Sequence, residues 1–518
     1  MALKRLKTLF SMICFVSWVF FFTVMSAYAY DHERYVDITN GADTNSGIEP
    51  GSSAWKNFHF AVNKINNDNS ILSSETVILY VAAGTYPAAG AGMLSLRIKR
   101  DNFTIKGENR ETTILEGTGA DTAYWVDGIV IMPGYNNALI ADLTIQNFSP
   151  HPYNGSGVKV DQGTGYKIWN CIIKGCRYGV FVTTTSRESS PDIEELLICD
   201  NDYGIYIDAY SSPVSPTVTE CSIYNHTSSG IKIITQFSGN SSALIDDNRI
   251  YNNATGIELM ATDGDIEPQI KHNRIYSNSS YGVYSSATGG NLSPVIKANR
   301  IYNNPTGIYV TADNSFTSDP EIENNLIYDT TSVMADGISL ESGSSTGGNV
   351  NAVLSHNTIV GGSGSSIKFN KLSGTLTASV KYCIISGAAG FGIEDIASTS
   401  IAVDYVAAYN NVSGNFSGGI TETNTVTADP DLESDFSLKI TSPCIDVIPG
   451  TVTDAADEDF AGISRPQKKS DSGQLYYDIG AYEYPYKPCD VVIPDIPNDD
   501  AVPDDTDDIP CFIGTLHR

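Results

Sequence analysis

The chain has 518 residues, with 31 Lys plus Arg against 60 Asp plus Glu, giving a formal net charge of −29. Charged residues are only 18% of it, which excludes a long coiled coil, and so acidic a surface repels nucleic-acid phosphate. Apolar residues at 41% permit a sizeable core, while 45 Gly with many Asn, Ser and Thr point to short strands and frequent turns.

Residues 1–29 read as a secretory signal. Lys4, Arg5 and Lys7 form the positive start, Met12 to Met25 the apolar run, and Ala27-Tyr28-Ala29 a small-x-small cleavage site. The run is short for a bilayer span, and no later stretch is apolar enough to make one. The chain is therefore expected to be exported, with no transmembrane span after signal cleavage and a secreted or cell-surface location. It would then carry Cys171, Cys176, Cys199, Cys221, Cys383, Cys444, Cys489 and Cys511. Export permits disulfides, but several of these cysteines fall at core positions of a repeat, so few bridges are expected. The absence of a Cys-x-x-Cys pair argues against a structural zinc site.

Next comes an opening segment. Trp55, Phe58, Val62 and Ile65 lie at helical spacing and predict an amphipathic helix that caps one end of the fold.

From about residue 143 the sequence repeats. Asn-Arg-Ile-Tyr stands at 248–251, 273–276 and 299–302, and weaker copies begin at Cys171, Leu196, Cys221, Asn325, Asn357 and Cys383. Each unit of about 25–28 residues holds three short strand signals with alternation of period two. A unit this short cannot close its own core, so the units stack, and three strands per coil give a parallel β-helix. Stacking predicts ladders. Ile173, Ile198, Ile223, Ile250, Ile275, Ile301, Ile327, Ile359 and Ile385 form an inward row, and Val180, Ile205, Ile231, Ile257, Val283, Ile308 and Ile338 another. Asn248, Asn273, Asn299, Asn325 and Asn357 form an amide ladder at a bend, with Cys171, Cys221 and Cys383 in the same place. Gly179, Gly204, Gly230, Gly256, Gly282, Gly307 and Gly337 mark a corner expected to need positive φ.

Residues 35–400 resemble the right-handed parallel β-helix proteins of the pectate-lyase-like group. The resemblance rests on the repeats and on Tyr35-Val36-Asp37, Gly41, Asp43, Asn45, Gly47 and Ala83-Gly84-Thr85-Tyr86. The stretch after the repeats is similar to a segment that follows such helices in exported bacterial proteins, through Ser442-Pro443-Cys444-Ile445-Asp446, Arg465-Pro466 and Asp478-Ile479-Gly480-Ala481-Tyr482-Glu483. The resemblance implies an all-β fold and a division into residues 30–400 (β-helix with its N-terminal cap), 401–487 (C-terminal cap) and 488–518 (tail). It leaves activity open, because this fold carries lyases, hydrolases, epimerases, adhesins and stalks.

Function falls to the outward positions. After the Gly corner these are Phe181, Tyr206, Lys232, Glu258, Tyr284, Tyr309 and Ser339. Sugar rings stack on aromatic faces, and a Lys beside a Glu can do acid–base work, so Lys232 is the candidate base and Glu258 its acid partner, with Tyr206, Tyr284 and Tyr309 as binding platforms. A structural ion pair among strand-forming tyrosines is the competing explanation. On the neighbouring sheet, Arg249, Arg274 and Arg300 form a positive stripe beside Tyr224, Tyr251, Tyr276, Tyr302 and Tyr328. The stripe can grip uronate or sulfate by bidentate contacts, or simply stack on the tyrosines. Loop acids Asp208, Asp263, Asp265, Glu267, Asp313 and Asp319 offer oxygen ligands, and Asp263 with Asp265 is the candidate Ca²⁺ site. The resemblance adds that related lyases use a cation to neutralise the substrate carboxylate and a basic side chain to remove the ring proton.

Residues 488–518 alternate Asp with Pro and cannot bury a core. Cys511-Phe512-Ile513-Gly514 resembles the start of a motif that ends some exported bacterial proteins. Two functions remain open. One is a monomeric carbohydrate-binding protein, a lyase or hydrolase on an acidic polysaccharide. The other is a non-catalytic surface or adhesion protein that uses the solenoid as a rigid spacer.

Overall fold

A computed structural model describes residues 32–88, 95–118, 126–148, 155–343, 346–468 and 474–484. The expected signal of residues 1–29 and the expected tail of residues 488–518 lie outside the described residues.

The repeat folds as expected. Three parallel sheets wind into a right-handed solenoid of about 12 turns. Sheet A has 16 strands, and sheets B and C have 13 each. Successive coils contribute strands to the sheets in the order A, B, C, each paired with its counterpart one coil away, and sheet A also takes a first and last strand and the extra strand Thr317–Ser318. The inward isoleucines pair rung by rung through sheet B, from Ile173↔Ile198 to Ile359↔Ile385, and all are fully buried. The second row does the same in sheet C, from Val180↔Ile205 to Ile308↔Ile338.

The bend between sheets A and B is held by the asparagine ladder. Each Nδ2 donates to the next Oδ1 at 3.0 Å through Asn248, Asn273, Asn299, Asn325 and Asn357, and each Oδ1 also accepts the preceding backbone amide. Cys221 extends this ladder by donating its amide to Asn248 Oδ1. Burial pushes the Cys171, Cys221 and Cys383 thiols up to about 12, so they act as packing groups rather than nucleophiles. The residue before each rung takes the left-handed conformation: Asp247, His272, Ala298, Asn324 and His356 all have φ between 53° and 56°.

The corner glycines do not have positive φ. They are needed for space. A Cβ at Gly179 would stand 2.5 Å from the Gly204 carbonyl oxygen and 2.6 Å from Ile198 Cγ2, and Gly256 and Gly282 are equally tight.

The opening helix spans Phe58–Asn66, with Asn57 as its N-cap accepting the Phe60 amide at 3.0 Å. Phe58, Ala61, Val62 and Ile65 enter the core. Trp55 lies before the helix, in a β-bridge with Val36. Solenoid strands continue past residue 400 to Ile420–Thr423. The segment after them folds back on the outside of sheet B. Its Ala481 amide donates to Thr358 Oγ1 at 2.9 Å, its Asp454 accepts from Tyr382 at 2.7 Å, and Leu438, Cys444, Ile448 and Ile479 pack on Ile384 and Ala407. It covers a flank of the last coils.

Candidate functional site

Stacking at about 4.8 Å per coil turns sequence spacing into neighbours in space. On sheet C, Lys159, Phe181, Tyr206, Lys232, Glu258, Tyr284, Tyr309, Ser339, Lys368 and Glu394 succeed one another in register on the outward face. In the middle of this row Lys232 Nζ donates to Glu258 Oε1 at 2.8 Å. Their side chains are only 13% and 19% exposed. Ser229 Oγ donates to the other carboxylate oxygen, Glu258 Oε2.

Aromatic groups flank this pair on both sides. Towards the N-terminus, Tyr178, Phe181, Tyr203 and Tyr206 form a cluster with ring centroids 5.0–5.6 Å apart. Towards the C-terminus, Tyr281, Tyr284 and Tyr309 form a second cluster, in which Tyr284 and Tyr309 stack at 5.6 Å with planes 7° apart. Burial raises the hydroxyls of Tyr206, Tyr284 and Tyr309, and carboxylates nearby (Asp208 and Glu258 for Tyr206, Glu341 for Tyr309) push the same way. These rings are neutral platforms with donor hydroxyls.

Asp208 stands two residues beyond Tyr206 on the same strand, Tyr203–Ala209, rather than in a loop with the other acids. Burial pushes its carboxyl up to about 6, opposed by Gln236, whose Nε2 lies 3.2 Å from each of its oxygens. Asp208 is therefore able to hold a proton near neutral pH, while Glu258 is engaged by Lys232 and Ser229.

Sequence reasoning placed the Lys232–Glu258 pair and the Tyr206, Tyr284 and Tyr309 row where the structure has them. It missed Tyr178, Tyr203, Tyr281 and Ser229, which belong to the outward row three residues earlier on the same strands. It also missed a second Ser-x-x-Lys arrangement further along the row. There Ser365 Oγ donates to Glu394 Oε2 at 2.8 Å, and Lys368 lies 3.5 Å from Asp336. The signal was available, since Ser229-Gly-Ile-Lys232 before Gly256-Ile-Glu258 is matched by Ser365-Ser-Ile-Lys368 before Gly392-Ile-Glu394.

Arg249, Arg274 and Arg300 stack in register on the neighbouring sheet B. They project from a different sheet than Lys232 and Glu258, so the stripe and the pair do not form one site. Tyr224, Tyr251, Tyr276, Tyr302 and Tyr328 run beside them with centroids 4.7–4.9 Å apart and planes 3–9° apart. The Arg300 guanidinium lies over the Phe460 ring of the C-terminal segment at 5.8 Å.

Asp263 and Asp265 lie in the turn after the strand Thr255–Ala261. The Asp265 carboxylate accepts the Asn291 amide at 2.8 Å, and its own amide donates to Asn240 Oδ1, so it is a rung in a turn ladder. Among the described residues no three His, Cys, Asp or Glu side chains gather as a metal-ligand group.

Residues 127–295 match the family described as right handed beta helix region. A search of curated proteins finds no match. Among solved structures the chain is similar to the catalytic unit of a thermostable GH87 alpha-1,3-glucanase from Streptomyces thermodiastaticus strain HF3-3, at 14% identity and a TM-score of 0.47, over 76% of this chain and 68% of that one. It is similar to the periplasmic alginate epimerase AlgG at 14% identity and a TM-score of 0.41, over 67% and 77% of the two chains. It is also similar to XylC in complex with xylose, at 12% identity and a TM-score of 0.45, over 88% and 99%. Likeness at this level does not extend to activity.

Proposed function

We propose that this right-handed parallel β-helix protein binds a carbohydrate chain along the outward face of sheet C. The observation that carries the reading is the order of groups on that face: an aromatic cluster, the shielded Lys232–Glu258 pair with Asp208 beside it, then a second aromatic cluster. Rings spaced along a rigid face suit the apolar faces of successive sugars, and the fixed polar groups between them suit hydroxyls.

The charge on this face favours a neutral glycan over an acidic one. Lys232 is already matched by Glu258, and Lys368 by Asp336, while Glu341 adds a further acidic group. For chemistry, the group suited to carry a proton is Asp208. Lys232, donating to Glu258, is better read as positioning that carboxylate than as a base. Glycoside hydrolysis with Asp208 as acid is the reaction this arrangement favours if the bound chain is cut.

The test is a panel of neutral glucans, xylan and mannan set against pectate and alginate, with binding read by affinity electrophoresis and cleavage by reducing ends, with and without Ca²⁺. Retardation by a neutral glycan that is lost in a Tyr206→Ala, Tyr284→Ala variant supports the reading. Retardation by none of them overturns it and favours the spacer, and retardation unchanged in that variant overturns the sheet C site.

A further inference from the structure

The turns that lead from sheet C to sheet A hold an exposed aromatic pair that the sheet C reading leaves unused. Tyr210 follows the strand Tyr203–Ala209, and Phe237 follows Ser229–Thr235 on the next coil. Their ring centroids lie 4.5 Å apart, with planes 44° apart. Tyr210 is 37% exposed and Phe237 59%, so two large rings stand open to water instead of entering the core. Period-two alternation puts Tyr206, Asp208 and Tyr210 on the outward side of one strand and its continuation. Gln236, whose Nε2 lies 3.2 Å from each Asp208 carboxylate oxygen, is the residue before Phe237. The pair therefore adjoins the Asp208 edge of the sheet C face, to one side of the row that runs from Tyr206 to Tyr309.

The backbone under Phe237 is unfavourable for that residue. Its turn is closed by the Gly239 amide, which donates to the Gln236 carbonyl oxygen at 3.0 Å, and φ is 48° at Phe237 and 64° at Ser238. Left-handed φ is disfavoured for a bulky side chain, and two successive positive values favour Asn and Gly. The same chain shows the ordinary solution. Three coils on, a turn of equal length joins the same two positions of the coil through residues 313–317. There the Phe316 amide closes on the Asp313 carbonyl oxygen at 3.0 Å, and φ is 54° at Asn314 and 68° at Ser315. Asn314 stands where Phe237 does. The fold accepts Asn at this place, so Phe237 carries a conformational cost and does not recover it by burying its ring. A strained residue that presents an aromatic face to solvent beside a polar site points to a ligand.

We propose, building on the sheet C reading, that Tyr210 and Phe237 are the platform for a sugar unit that branches from the glycan bound along that sheet. The pair lies beside the row of Tyr206 and Tyr284 and not on it, so a ring stacked there belongs to a side unit. Sugar C–H faces pack on aromatic rings. Asp208 and Gln236 stand between the platform and Tyr206, where they meet the hydroxyls of the branch point. The ligand class is then a neutral polysaccharide that carries short side branches.

Affinity electrophoresis of the full chain tests this with matched glycans: galactomannan against unsubstituted mannan, arabinoxylan against xylan, and xyloglucan against linear β-glucan. Wild type should be retarded several-fold more strongly by one branched glycan than by its linear counterpart. Phe237→Asn and Tyr210→Ser should each remove that preference and keep the retardation by the linear glycan. Urea unfolding of Phe237→Asn should give a midpoint above that of wild type, which a structural role for the ring would not produce. Equal retardation by branched and linear glycans, a preference that survives both substitutions, or a lower urea midpoint overturns the platform. Self-association in sedimentation that Phe237→Asn abolishes marks the pair as a contact between copies and overturns it as well. Failure of the sheet C reading is distinct: no glycan then retards wild type at all, and the platform falls with it.

Discussion

Lys232 on one coil donates its ammonium proton to Glu258 on the next at 2.8 Å, and both side chains are largely shielded from water. Such a pair is hard to break from one side, because the remaining charge loses its partner without regaining full hydration. Glu258→Ala is expected to cost about 1–3 kcal/mol of unfolding free energy, and Lys232→Ala a similar amount. The double replacement Lys232→Ala, Glu258→Ala should cost less than the two single losses added together. Urea unfolding of the four proteins measures this, and strictly additive losses would show that the two groups are not coupled.

The aromatic clusters give a prediction about ligand rather than stability. Tyr206 and Tyr284 lie on opposite sides of the ion pair, one coil beyond each partner. If one glycan chain crosses both, either Tyr→Ala change should weaken binding by about 1 kcal/mol or more, with little effect on the melting temperature. Tyr251→Ala on sheet B should leave binding unchanged. Titration calorimetry with the glycan chosen from the panel separates the two faces.

Asp208 makes stability depend on pH. Its folded carboxyl is pushed up to about 6 from an ordinary value of 3.8 by burial. The folded state thus holds a proton that the unfolded state has already released. Its contribution is full below about 4, is lost as pH rises from 4 to 6, and is constant above that. Asp208→Asn should therefore stabilise the protein at pH 7 relative to wild type, by about 1 kcal/mol once water at its open edge is allowed for, and have little effect at pH 4. The same change should abolish glycan cleavage if Asp208 is the acid. Unfolding at the two pH values and a reducing-end assay read the two effects independently.

The register of the solenoid was legible in the sequence because stacking has one free parameter, the coil length. Once Ile250, Ile275 and Ile301 are aligned, every other row is set, including the contact between Lys232 and Glu258. The properties that could not be read are those fixed by the third dimension. The burial of Asp208 comes from its neighbours on sheet C. The location of the C-terminal segment on sheet B depends on contacts such as Ala481 with Thr358. Gly256 was recognised as a corner, but its reason, contact with the Gly282 carbonyl oxygen, needs coordinates.

A second amide ladder also escaped the sequence reading, and it yields the sharpest pH prediction. At the bend between sheets B and C, Asn253 donates its amide to Asn278 Oδ1 and Asn278 to Asn304 Oδ1, each at 3.0 Å. One rung earlier stands His226, which donates its amide to Asn253 Oδ1 at 3.1 Å and whose Nδ1 lies 3.1 Å from the Asn201 amide nitrogen and 3.3 Å from its carbonyl oxygen. Burial in the core favours the neutral ring and pushes its pKa down to about 4 from 6.5. The unfolded chain therefore takes up a proton that the folded state refuses. Stability from this group is full above 6.5 and is lost as pH falls from 6.5 to 4, by an amount on the order of 2–3 kcal/mol. His226→Asn keeps an acceptor at the rung and removes the titration. Its unfolding free energy should approach or match wild type at pH 7.5 and exceed it increasingly between pH 6.5 and 4. A constant difference between variant and wild type across that range would show that His226 does not titrate on unfolding.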